Sequence, residues 1–145
     1  MCPFCSIEVR RELISNEHAV AFADAFPVTE GHTLVVPRKH VASIYELCAD
    51  AQSAVWDIVA DARERLLEQL KPDGFNIGGN DGLAAGQTVL HAHVHIIPRR
   101  KGDVPDPRGG IRWIISERAT GNQSIDRDRG AAFAGHLAPD FEHIA

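Results

Sequence analysis

Apolar positions recur at steps of three and four between Asp50 and Leu70: Ala54, Val55, Ile58, Val59, Ala62, Leu66 and Leu70 alternate with Asp57, Asp61, Arg63, Glu64 and Glu68. That spacing puts the apolar side chains on one side of a helix, so a long amphipathic helix is predicted, with Asp50 as its N-cap. Lys71-Pro72-Asp73-Gly74 stops it, because Pro72 disfavours helical geometry at Lys71. Elsewhere the apolar runs are short. His18 to Asp24, His32 to Val36, Phe75 to Asn80, Val89 to Pro98 and Ile111 to Ser116 each read as a strand, and Pro3 to Glu12 as a short helix. Turn signals separate them at Phe26-Pro27, Glu30-Gly31 and Gly78-Gly79-Asn80-Asp81-Gly82. Several strands with one dominant helix, not in regular βα alternation, predict an α+β fold with a mainly antiparallel sheet.

Composition narrows the function. The 145 residues are 44% hydrophobic and 24% charged, enough for one buried core, and neither repeats nor low-complexity linkers divide them, so a single domain is expected. With 15 Lys and Arg against 20 Asp and Glu, the net charge of −5 argues against a long nucleic acid as partner. A small phosphorylated ligand stays open, because backbone N–H groups and a few cations can neutralise its oxygens locally. No window approaches the ~18 apolar residues of a membrane span, and Met1-Cys2-Pro3-Phe4-Cys5 lacks the layout of a secretory signal, so a cytoplasmic location without membrane contact is expected. Three cysteines make a poor disulfide framework.

The chemistry concentrates in His91-Ala92-His93-Val94-His95-Ile96-Ile97. On a strand, His91, His93 and His95 would share one face while Ala92, Val94 and Ile96 enter the core. Neighbouring histidines would stand about 6.6 Å apart at Cα, close enough for two to meet one ligand. By residue type alone, this row also fits individually satisfied histidines or a His-x-His metal site of the cupin kind. Just upstream, Asn80 to Thr88 is a Gly-rich turn that permits close backbone approach and offers neutral hydrogen bonds. Such clusters are ordinary turns in most chains, yet donors feeding into a row of imidazoles suit phosphoryl or nucleotidyl transfer. A second constellation is Cys2-Pro3-Phe4-Cys5, whose two thiolates fit adjacent corners of a tetrahedral zinc site; a redox pair or unliganded thiols are the alternatives.

The histidine run matches in full the His-φ-His-φ-His-φ-φ signature of the histidine triad (HIT) superfamily. Asp81-Gly82, Ala85-Gly86-Gln87-Thr88-Val89, Pro98-Arg99 and Gly102-Asp103 resemble its fragile histidine triad branch, which cleaves dinucleoside polyphosphates. Gly31 to Pro37 is similar to the family's first conserved strand, so the resemblance covers roughly residues 18 to 103. It implies a HIT-like domain over residues 1–145, with a core of about 1–103 and an extension 104–145, and a homodimer whose sheet continues across the interface. It also implies a nucleotide hydrolase or transferase in which His93 attacks the α-phosphorus to form a covalent nucleotidyl-histidine, later resolved by water, with no catalytic metal. His95 and Gln87 would hold or protonate phosphate and leaving-group oxygens. Gly86 and Thr88 would meet the phosphate, and Asn80 the ribose and bridging oxygen. The other ring nitrogen of His93 would donate to a backbone carbonyl.

For the nucleoside, expected to carry adenine, the resemblance puts Asp24 at the ribose hydroxyls; the same residue also reads as the start of the turn before Pro27. Phe22 and Phe26 are candidate apolar walls. Several branches pair the N-terminal Cys-x-x-Cys with a histidine at the position of His40 and with the first triad histidine. That implies a structural zinc on Cys2, Cys5, His40 and His91. Cys48 reads as a small core residue. Arg99, Arg100, Lys101 and Arg108 read either as contacts for outer phosphates or as solvated charges, and Trp113 as a nucleotide contact or sheet core. Other functions in view are a Hint-like phosphoramidate or adenylate hydrolase, a nucleotide-binding sensor that barely turns over, and a cupin-like metal oxygenase. Thr120 to Ala145 shows little periodicity and is unassigned.

Overall fold

The computed structural model of the chain describes residues 1–7 and 12–118. Five strands form one antiparallel sheet in the order β1-β2-β3-β5-β4: β1 Glu12–Ser15, β2 Ala19–Ala23, β3 Thr33–Pro37, β4 Gly74–Gly78 and β5 Val94–Arg99. One helix, α1 (Ala49–Leu70), packs on a single face of this sheet. The α+β expectation with a long helix is met.

Helix α1 buries Val55, Ile58, Val59, Ala62 and Leu66 of the predicted stripe and Ala51 in addition, while Ala54 and Leu70 are half-buried. These meet Ala19 and Ala21 of β2, Val35 of β3, and Val94 and Ile96 of β5 in one core. The N-cap is Cys48, not Asp50, which sits inside the first turn where its charge still complements the helix dipole. Cys48 is therefore exposed, not core. At the other end Lys71 adopts left-handed geometry with φ 46°, and Arg100 donates to the carbonyl of Leu70 at 2.7 Å, satisfying a terminal acceptor.

Three further sequence expectations are corrected. Residues 3–6 form a turn and Glu12 opens β1, so no helix runs through the described part of Pro3 to Glu12; residues 8–11 lie outside it. The expected strand from Val89 joins the ladder only at Val94. Upstream of that point Pro37 has no N–H to extend pairing, its carbonyl is taken by the ring of His91 at 2.7 Å, and Ala92 donates to Val41 at 2.7 Å instead. Ile111 to Ser116 lies in a 3-10 stretch, Gly110–Arg118. Gly109 and Gly110, with φ of 92° and 46°, turn the chain so that Arg112 donates to Gly109 at 2.8 Å.

The chain divides into two compact units, Met1–Asp103 and Val104–Ala145. In the second, Arg108 pairs with Asp106 at 2.8 Å and the Trp113 indole donates to the carbonyl of Arg108 at 2.9 Å. The stretch from Thr120 lies outside the described residues. Among the described residues no helix is long and apolar enough to cross a membrane.

Candidate functional site

β5 and the segment leading into it carry the three histidines. His93 is 8% exposed, and its Nδ1–H donates to the backbone carbonyl of His91 at 2.8 Å. Such a bond fixes the tautomer, so Nε2 holds the lone pair. Gly79, following β4, lets the two chain segments close up: a Cβ there would stand 2.6 Å from the carbonyl oxygen of His93.

His95 is the next histidine along, on β5, with its ring centroid 5.0 Å from that of His93. Its Nδ1 lies 2.9 Å from Nε2 of His32, a buried residue immediately before β3. The backbone N–H of Val28 donates to Nδ1 of His32 at 3.2 Å. An imidazole nitrogen that accepts a hydrogen bond carries no proton, so the proton of neutral His32 sits on Nε2 and is donated to His95. His95 must then carry its own proton on Nε2. Burial lowers the pKa of His32, opposed by the charge of Asp24. Burial also lowers that of His95, helped by His93 and His32 and opposed by Asp24. Both rings are held neutral, which leaves a lone pair on His93 beside an N–H donor on His95.

Asp24 divides its oxygens: Oδ1 accepts from the N–H of Phe26 at 2.9 Å, and Oδ2 lies 3.4 Å from Nε2 of His32. The donor atoms of Asp24, His32 and His95 are grouped tightly enough to suggest a metal, but the Val28 bond opposes it. A metal on Nε2 of His32 would force the ring proton onto Nδ1, facing the Val28 N–H.

Gln87 is buried, and its amide is spent on the chain. The N–H of Gly82 donates to its Oε1 at 2.9 Å, and its Nε2 donates to Ala42 at 2.8 Å and Val89 at 3.1 Å. It shapes the loop rather than facing a ligand. Thr88 and Gly86 are exposed on that loop, Gly86 in left-handed geometry. Asn80 is half-buried and lines a cleft with Ser43, Tyr45, Trp56, Asp81 and His93. Arg99 is held by Asp103 at 2.6 Å and Asn76 at 2.6 Å, and Arg100 and Arg108 have the internal partners given above, so these three cations are committed within the chain.

The N-terminal turn brings Cys2 and Cys5 to His40 and His91, their donor atoms all within 4.8 Å of one another. Sγ of Cys5 lies 3.1 Å from Nδ1 of His40 and 3.6 Å from Nδ1 of His91, and Sγ of Cys2 is 3.4 Å from the latter. Tetrahedral zinc would separate N and S ligands by about 3.5 Å. His91 donates its Nε2–H to the carbonyl of Pro37, so its Nδ1 is the unprotonated nitrogen a metal requires. Desolvation and the Cys2 sulfur push the Cys5 thiol above its ordinary pKa, a crowding of like charge that a cation relieves. The donor set and the tautomer of His91 fit a closed four-coordinate site.

Two residues went unselected in the sequence. His32 carries no spacing signal, because its partner His95 is 63 positions away. Phe4, between the cysteines, packs edge-on to His93 at 5.3 Å between ring centroids and meets Phe22 at 5.7 Å. Phe26, by contrast, is 86% exposed.

A family model for the HIT domain matches residues 10–102. An uncharacterised 16.1 kDa HIT-like protein of Mycoplasma pneumoniae is 36% identical over 129 residues, 86% of this chain and 85% of that protein. A crystal structure from Streptococcus mutans UA159 superposes with a TM-score of 0.74 at 30% identity, covering 96% of this chain and 84% of that one. Relatives named for an activity include the adenylylsulfatase HINT3 of Arabidopsis thaliana, 32% identical over 70% of this chain and 54% of its own. The asymmetrical bis(5'-nucleosyl)-tetraphosphatase of Schizosaccharomyces pombe is 36% identical over 59% of this chain and 47% of its own.

Proposed function

The chain belongs to the HIT-domain family, and from that premise we propose that it is a nucleotide hydrolase acting at an α-phosphate, with a dinucleoside polyphosphate as substrate. The observation that carries this reading is the tautomer pattern: Nδ1 of His93 is tied to the carbonyl of His91, which leaves Nε2 as a nucleophile beside the N–H of His95. In the first step Nε2 forms a bond to the α-phosphorus, and the bridging P–O bond breaks with its electron pair leaving on the outer phosphate. Water then attacks the same phosphorus, the N–P bond breaks, and His93 regains its lone pair as a proton passes to solvent.

A neutral His95 is a hydrogen-bond donor, not a proton source for a basic leaving group. Phosphate leaves without needing a proton, whereas an amine needs one, so the geometry favours anhydrides over phosphoramidates. Sulfate is an equally undemanding leaving group, so adenylyl sulfate is the second reading, favoured by the HINT3 relative. Adenine as base, and a homodimer in which the sheet continues across the interface, belong to the same proposal. So does zinc on Cys2, Cys5, His40 and His91, whose chemistry when bound is structural: four protein ligands leave no coordination position for substrate.

A dinucleoside tetraphosphate labelled at the α-phosphorus tests it. Quenching in alkaline detergent is expected to trap label on the wild type that is stable to base and lost on acid treatment, and none on His93→Ala. Undiminished turnover by His93→Ala would overturn the reading.

A further inference from the structure

Residues 1–7 belong to no strand or helix. Among the described residues, their turn closes with one backbone bond, from the N–H of Cys5 to the carbonyl of Cys2 at 3.3 Å. What holds this turn to the domain is side-chain contact: two sulfurs against His40 and His91, and the ring of Phe4 against three other rings. Phe4 lies edge-on to both His91 and His93, at 5.9 and 5.3 Å between centroids. It is half-buried and flanked in sequence by the two thiols.

We propose that metal binding at Cys2, Cys5, His40 and His91 controls nucleotide affinity through Phe4. The bound metal clamps the Cys-Pro-Phe-Cys turn so that the Phe4 ring closes against His93, and metal loss releases it. This rests on the nucleotide-transfer reading above. Each residue of chain spans at most about 3.6 Å, so fixing both thiolates leaves the intervening Phe4 little freedom to leave the nucleophile. Freed of the metal, the turn keeps one backbone bond, weak thiol contacts and the ring contacts of Phe4, and the ordering entropy of a segment outside any strand or helix then favours release. An aromatic side chain contributes contact area and a desolvating edge, so its departure removes a wall from the space around His93.

The test uses the full chain with 4-fluorophenylalanine at position 4, followed by fluorine NMR as zinc is added or chelated, together with calorimetric titration of AMP. The fluorine signal is expected to shift on zinc removal, and zinc-loaded wild type to bind AMP about tenfold more tightly than the zinc-free protein. Phe4→Ala should still bind one zinc per chain, while its AMP affinity no longer depends on zinc. A fluorine signal unmoved by zinc, or a full zinc-dependent difference in AMP affinity retained by Phe4→Ala, overturns the proposal. Global unfolding on chelation, read as loss of the far-ultraviolet helical signal, overturns it too, because Phe4 would then not move on its own. Zinc-loaded protein that binds no AMP overturns the nucleotide reading; the fluorine signal, which needs no nucleotide, then decides the metal-to-Phe4 coupling alone.

Discussion

His32 sets the protonation pattern of the site without lying in the histidine run. Replacing it by Phe removes the donor to Nδ1 of His95 and lets that ring take the other tautomer. Turnover of a dinucleoside polyphosphate is expected to fall about 10- to 100-fold in kcat with a smaller change in KM, measured by steady-state kinetics. A readout that mere loss of packing would leave alone is the imidazole nitrogen spectrum of His95, where the Nε2–H form should lose its dominance. The lowered pKa values of His32 and His95 also give a stability prediction. Below about pH 6.5 the unfolded chain binds protons that these folded rings refuse. Stability should therefore fall as pH drops through that value and be fully present above it, seen as a lower urea midpoint at pH 5.5 than at pH 7.5. The partners of Gln87 were not legible, since nothing in the sequence tells that Gly82, Ala42 and Val89 surround its amide. Gln87→Leu leaves those groups unpaired, and a loss of about 1–3 kcal/mol in chemical denaturation is expected.

Among the elements, α1 was readable almost to the residue, because a stripe of six buried side chains is a periodic signal many residues long. β5 was legible as a strand but its start was not: the ladder begins at Val94 because Pro37 on the facing strand has no donor. His91 and His93 thus stand off the ladder, where the chain is free to present one ring to the thiols and the next to the proposed substrate. The cap at Cys48 and the 3-10 winding after Gly109 were hidden for a related reason. Both depend on backbone geometry, and apolar spacing does not encode it. The contact between Gly79 and His93 joins the end of β4 to the histidine proposed as nucleophile. With a Cβ only 2.6 Å from the His93 oxygen, Gly79→Ala should cost about 1–3 kcal/mol in urea unfolding. It should also lower adduct formation more than nucleotide binding, because it moves the peptide that carries the reacting ring.

For the whole molecule, family and fold were legible because one run of residues is so specific, and the thiol half of the four-residue cluster because two cysteines stand three positions apart. The pairing of Cys2 and Cys5 with His40 and His91 came from resemblance, and the geometry brings the four together. Elemental analysis of protein prepared without chelator is expected to find about one zinc per chain. Chelation should lower the melting temperature, and added zinc should restore it in a concentration-dependent way, as binding to the folded state alone requires. Less than a tenth of an equivalent would remove the metal from the reading and leave the His93 chemistry standing.

His91 contributes twice, through its ring to the thiols and through its peptide oxygen to His93. Side-chain mutation can reach only the first of these. A substitution at position 91 removes the imidazole from the thiol cluster yet keeps the acceptor that orients its neighbour, so the His93 ring inherits its aim from the course of the main chain. Lesions that turn the His93 ring without touching position 93 should accordingly include those that bend that course, as a side chain at Gly79 would.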